Sequence, residues 1–187
     1  MPLKLKFLEK VDKDFFNRDT VEVAKDLLGK ILVKGECAGI IVETEAYKDD
    51  PASHAHKITP RSKIMLETYG HVYVYFIYGN YYCLNFTCED GKPGAVLIRA
   101  VEPISGIDIM KKRRGTDDVK NLTNGPGKLC QAFNITKEDN GKEINETISL
   151  YYGVKPKKIA KSKRIGINKG LEYEWRFYIK DNPFVSK

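Results

Sequence analysis

The segment Gly39-Ile-Ile-Val-Glu-Thr-Glu-Ala-Tyr47 carries two carboxylates two residues apart and a tyrosine at the same spacing beyond them. In an extended strand side chains alternate between faces, so Ile41, Glu43, Glu45 and Tyr47 share one face and Ile40, Val42, Thr44 and Ala46 the other. The second face is small and apolar, suited to packing. Carboxylates in line repel each other, and burial would raise the proton affinity of at least one, leaving a group able to exchange protons near neutrality. The bland alternative is an edge strand with both glutamates in water. The strand leads into a polar loop, residues 48–60, that holds His54 and is followed by Arg61, which favours a site.

Two further segments could hold a ligand. Asn124-Gly-Pro-Gly-Lys-Leu-Cys-Gln131 reads as a loop feeding a helix, with Pro126 at the first helical position and backbone N–H groups available to an anion. The spacing is not that of a nucleotide-hydrolysing phosphate loop, and Leu129 follows the lysine, so phosphate holding fits and nucleotide hydrolysis does not. Taken on its own, the segment reads first as a plain helix cap. Residues 69–86 hold eight of the 20 aromatic side chains and no Lys, Arg, Asp or Glu. They read as two strands joined at Gly79-Asn80, with Tyr73 and Tyr75 on one face and Val74, Phe76 and Tyr78 on the other. Such a stretch is half-buried sheet or a platform for stacking nucleobases.

Metal chemistry finds little support in the spacing. His54 and His56 form a His-x-His pair without a cysteine or third histidine at a plausible spacing, and Cys37, Cys83, Cys88 and Cys130 form no Cys-x-x-Cys pair. The cysteines read as reduced structural thiols.

The elements that must position these residues follow from the rest of the chain. Its 187 residues suit one domain, 1–187, with 30% charged and 42% apolar residues, an ordinary globular balance. No apolar run reaches membrane-spanning length and no signal-peptide core precedes residue 7, so a cytoplasmic location without membrane attachment is expected. The net charge of +7 favours a polyanionic partner. Two cationic runs stand out, Lys111-Lys112-Arg113-Arg114 and Lys155 to Arg164. Asp19-Thr20 opens an amphipathic helix closed by Gly29, and strands are expected at Ile31–Lys34, Gly39–Tyr47 and Ala95–Val101. Pro103 is expected to open a helix through Met110, and Pro126 a second one to about Phe133. Ile148–Tyr152, Arg164–Ile167 and Trp175–Ile179 read as further strands. The expected fold class is α+β, a single mixed domain with an antiparallel sheet and peripheral helices.

Taken in order, these segments resemble the alkyladenine (3-methyladenine) DNA glycosylases. The resemblance rests on Phe16-Asn-Arg18, Val42-Glu-Thr-Glu-Ala-Tyr47, Asp50-Pro-Ala-Ser-His-Ala55 and Thr59-Pro-Arg61. It continues through Val72–Gly79 with Cys83-Leu-Asn85, Val96–Pro103, Asn124–Ala132, Arg164-Ile-Gly166 and Arg176-Phe-Tyr178 with Asn182-Pro183. It implies a curved antiparallel β-sheet with a protruding β-hairpin that inserts into DNA, and chemistry without metal or other cofactor. It further implies that a monomer flips damaged purines out of double-stranded DNA and hydrolyses the N-glycosidic bond. By motif position Glu45 resembles the base that activates water, and Arg99 the residue that helps to hold it. Tyr47, His54 and Tyr75 look like the walls around the extruded base, with Asn85 and Ile165 at its edges. Tyr78, with Asn80 beside it, resembles the wedge left in the duplex; Arg61, Gly125, Gly127, Lys128 and Arg164 are expected at the DNA backbone.

Three other readings use the same residues. A glycosylase that also cuts the strand needs an amine such as that of Pro2, but Leu-Lys-Leu-Lys follows without an acidic residue. A metal nuclease would gather Glu43, Glu45, Asp49 and Asp50. A non-catalytic DNA- or RNA-binding module would use the tyrosines alone.

Overall fold

In the computed structural model, which describes residues 7–77 and 79–186, the chain folds round one branched antiparallel sheet. Its strands are β1 (Ile31–Lys34), β2 (Cys37–Tyr47), β3 (Val72–Ile77), β4 (Tyr81–Thr87), β5 (Ala95–Ser105), β6 (Ser149–Tyr151), β7 (Ile159–Ser162) and β8 (Arg176–Ile179). The α-helices flanking it are α1 (Thr20–Asp26), α2 (Ile64–Glu67), α3 (Ile107–Arg114) and α4 (Pro126–Phe133). The order is β3-β4-β5-β2-β1-β6, with β8 paired to β2 and β7 to β8. The α+β class is as expected. Among the described residues no helix is long and apolar enough to cross a membrane.

The long central strands β2 and β5 are buried along almost their whole length. One edge of β2 pairs with β5; the other pairs with β1 at residues 37–40 and with β8 at residues 43–45. Where the partner changes, the register against β5 shifts at Ile41/Glu43 and again at Glu43/Thr44. Such bulges bend a strand and re-aim its side chains. The alternation expected for the whole segment therefore holds from Glu43 to Tyr47. Ahead of it, Ile41 packs in the main apolar cluster, not beside the glutamates. Thr44 turns the other way and donates its hydroxyl to the Ala24 carbonyl of α1 at 2.7 Å.

α1 starts where the sequence indicates: the Asp19 carboxylate accepts from the Val21 and Glu22 N–H groups, and Val23, Ala24 and Leu27 are buried on the sheet. The helix expected from Pro103 begins later, at Ile107. Pro103 stays in β5 opposite Gly39. It fits there because β4 pairs with β5 only from Ala95 to Leu97, so the edge facing β4 needs no N–H at position 103. The strand expected at Arg164–Ile167 is also absent; the strand there is β7, which ends at Ser162, and a turn with positive φ at Gly166 and Gly170 follows. The Ile165 N–H is directed to a carboxylate and not to a neighbouring strand. All four cysteines are buried thiols.

Candidate active site

The two glutamates of β2 are both inaccessible to solvent, at 0% exposure, which removes the solvated-edge alternative. Their partners differ. One Glu45 oxygen accepts the Tyr47 hydroxyl at 2.8 Å and the other accepts the Ile165 N–H at 2.7 Å. The Arg99 guanidinium stands 3.5 Å from the first of these oxygens. Burial pushes the Glu45 carboxyl above the ordinary carboxylate range, while Arg99, the Ile165 N–H and the Tyr47 hydroxyl act in the opposite direction. Glu43 receives Arg99 Nε at 3.1 Å, Arg176 Nε at 2.7 Å, and the Ser186 N–H and hydroxyl at 2.6 and 2.8 Å.

Glu45 lies directly behind the wall of a cavity of about 450 Å3. Tyr47, Arg99 and Ile165, its three contacts, all line that cavity, together with His54, Tyr75 and Cys83. A smaller recess continues between Tyr47, His54, Tyr73 and Tyr75 down to Asn85. The period of two along β3 thus brings Tyr73 and Tyr75 to the cavity side, while Val74 joins the core. The His54 ring meets Tyr75 edge-on, with centroids 4.8 Å apart, and its Nδ1 lies 3.1 Å from the Tyr73 hydroxyl. Burial and nearby Arg61 lower the His54 pKa, favouring the neutral ring at pH 7. Asn85 is buried and donates its amide to the Tyr73 and Cys83 carbonyls, which fixes the recess floor.

Arg164, expected at the DNA backbone, is a buried side chain in this structure. It is 4% exposed and forms a bidentate pair with Asp50 at 2.6 and 3.0 Å, with a further bond to the Ala46 carbonyl. Its guanidinium lies over the Tyr47 and Trp175 rings. The pair therefore ties the turn carrying Ile165 to the strand end carrying Tyr47. Arg61 is exposed, donating to the Phe76 carbonyl at 2.6 Å and lying over Tyr75. Gly125 caps α4, and Lys128 donates to Asn121 and Asn124 in the loop before it. Gly127 abuts Tyr81 so closely that a Cβ there would lie 2.7 Å from the ring. β3 and β4 pair from Val72↔Phe86 to Ile77↔Tyr81, with Gly79 at positive φ and Asn80 exposed at the tip. Tyr78 lies outside the described residues.

A buried carboxylate stands beside an aromatic-lined cavity whose shape suits a flat group. Comparison with known proteins gives the family. Residues 14–183 match the model of the methylpurine-DNA glycosylase (MPG) family. A protein of Agrobacterium fabrum is 48% identical over 184 residues, spanning 97% of this chain and 94% of the relative. A protein of Prosthecochloris aestuarii is 49% identical over 191 residues (95% and 91%), and one of Clostridium novyi 47% identical over 200 residues (96% and 100%). All three bear the provisional name 3-methyladenine DNA glycosylase. The chain belongs to the methylpurine-DNA glycosylase family. It is accordingly a DNA-repair hydrolase of N-glycosyl bonds.

In this glycosylase the carboxylates that a nuclease would need to gather are directed to separate partners. Asp50 is held by Arg164, Glu43 by two arginines, and Asp49 is paired with His56 at the surface. No group of three metal-ligating side chains occurs among the described residues. Sequence reasoning missed the Asp50–Arg164 pair, the role of Arg176 and the contact of Ser186 with Glu43. Each joins residues more than a hundred positions apart, and no local spacing announces such a pair.

Proposed function

We propose that this glycosylase is monofunctional, releasing 3-methyladenine and other alkylated or deaminated purines from duplex DNA. The relatives' names support the substrate class. The damaged nucleotide is extruded from the helix and its base enters the cavity between Tyr47, His54 and Tyr75. A cationic alkylpurine gains there from the tyrosine faces. Glu45 takes a proton from a water molecule, whose oxygen attacks C1′ of the deoxyribose as the N-glycosidic bond breaks. The purine leaves with the bonding electrons and an abasic site remains. Arg99, on the cavity wall beside Glu45, steadies the attacking water. Tyr78, next to Gly79 and Asn80 in the sequence, takes the place of the extruded nucleotide. The enzyme acts as a monomer, and the reaction asks for a base, a water and a leaving group, without a cofactor.

The observation that carries this reading is the placing of Glu45: a buried carboxylate whose three contacts all face one aromatic-lined cavity. The cavity falls in the size range of small-molecule sites, about 300–1,000 Å3. The test is base release from duplexes with single lesions, in the presence of chelator, by wild type and Glu45→Gln. Release of free base by the wild type, an intact strand at the abasic product, and loss of release in a variant that still binds DNA are expected. A strand break, or an adduct trapped by borohydride, would show a lyase instead.

A further inference from the structure

Arg99 reaches both glutamates unequally: its Nε is bonded to Glu43 at 3.1 Å, while its Nη1 stands 3.5 Å from Glu45. Glu43 is well placed to hold it. Its carboxylate is fully buried between the two register shifts of β2. Four donors converge on it from three segments: Arg99 on β5, Arg176 on β8, and the N–H and hydroxyl of Ser186. Ser186 also receives Arg99 Nη2 at 3.4 Å. The bulges put Glu43 and Glu45 on either side of one guanidinium, where they compete for its charge.

We propose that Glu43 is a positioning residue that acts through Arg99, drawing the guanidinium toward itself so that Glu45 remains basic enough to deprotonate water. A carboxylate in a full bidentate pair with arginine is a poor base, because the pair stabilises its charged form. Arg176 and Ser186 set the balance from the other side, since every donor that satisfies Glu43 weakens its hold on Arg99. The inference deepens the proposed function and rests on Glu45 being the base. The other ionisable groups facing Glu45 are Tyr47 on its own strand, Tyr75 on β3 and Cys83 on β4. Burial raises the pKa of all three, so they are protonated where Glu45 titrates.

The test is the acid limb of single-turnover base release as a function of pH, measured on three variants, two of them also combined with Arg99→Gln, with folding checked by circular dichroism. Glu43→Gln frees Arg99 to close on Glu45, so the limb should move to lower pH by about one unit while the plateau rate drops. Arg176→Gln removes a competitor for Glu43 and should move the limb the opposite way. Opposed shifts that disappear when Arg99 is also changed to Gln, with unchanged DNA affinity, support the proposal. Shifts that persist without Arg99 come from direct charge on Glu45 and overturn it. A merely structural role would reduce amplitude in both variants without moving either midpoint. Should Glu43→Gln not fold, the direction of the Arg176→Gln shift decides alone, since its side chain is at the margin of the buried cluster. If Glu45→Gln is inactive but neither limb moves, the positioning role fails and the base assignment stands. If Glu45→Gln releases base like wild type, the base assignment itself has failed.

Discussion

Glu45 keeps a carboxylate at 0% exposure beside the cavity, and that arrangement has a cost to the fold as well as a use. Its raised pKa means that the folded enzyme retains this proton at pH values where the unfolded chain has lost it. Stability therefore falls as pH rises from the unfolded value, about 4.3, through the folded value, and the deficit persists above it. Glu45→Gln carries no charge to bury. Its Tm is expected to exceed that of wild type at pH 8 and to converge on it near pH 4, at roughly 2–4 °C per kcal/mol relieved. A constant difference across pH, read by calorimetry, would mean that the carboxylate is not the source. The pairing of Glu43 and Glu45 was legible in the sequence because two-residue spacing on a strand is a local property. The division of labour between them was not. It depends on Arg99, Arg176 and Ser186, which come to Glu43 from distant positions.

At the scale of elements, the site is a meeting of β2, the β3–β4 pair, the start of α4 and the turn after β7. The Asp50–Arg164 pair fastens that turn to the end of β2. Asp50→Asn leaves a buried guanidinium without its counter-charge, and a loss of about 3–5 kcal/mol is expected in urea unfolding. Base release should fall further than instability explains, because the Ile165 N–H and the Tyr47 ring lose their support. A second junction is Tyr81 against Gly127, which holds β4 to the N-terminus of α4. In Gly127→Ala the added methyl would sit 2.7 Å from the Tyr81 ring, so the half-exposed ring or the strand that carries it must shift. We expect about 1–3 kcal/mol of destabilisation together with slower release; equal rates at a temperature where both are folded would mean that this contact does not position the site. The elements that sequence reasoning placed well, α1, α4 and β1, have local signals in caps, Pro and Gly. Those it misplaced answer to their neighbours. Pro103 remains in a strand because the far edge is unpaired there, and the turn at 164–167 leaves the sheet because Glu45 draws its N–H away.

Over the whole molecule, a net charge of +7 supplies attraction to a polyanion, but the two cationic runs differ in what they can give. In the first, Arg113 donates to the Ala132 carbonyl, Arg114 bonds Gln131 and the Leu122 carbonyl, and Lys111 pairs with Asp117. These bonds fasten α3 to α4 and its preceding loop. The second run is exposed from Lys155 to Lys163 apart from Pro156, Ala160 and Ser162, and it ends beside the site at Ile165. DNA affinity should fall log-linearly with salt, and Lys163→Gln should reduce the slope by about 0.9. Arg113→Gln is expected to lower stability and leave the slope unchanged. Equal slopes for wild type and Lys163→Gln would take the second run out of the DNA interface.

The most direct measurement is the single-turnover rate of 3-methyladenine release from duplex DNA by Glu45→Gln beside wild type, with chelator present and DNA binding measured in parallel. A loss on the order of 10²–10⁴-fold at unchanged affinity is expected. Release within a few-fold of wild type would contradict it, because the buried carboxylate behind the aromatic cavity would then not be the base.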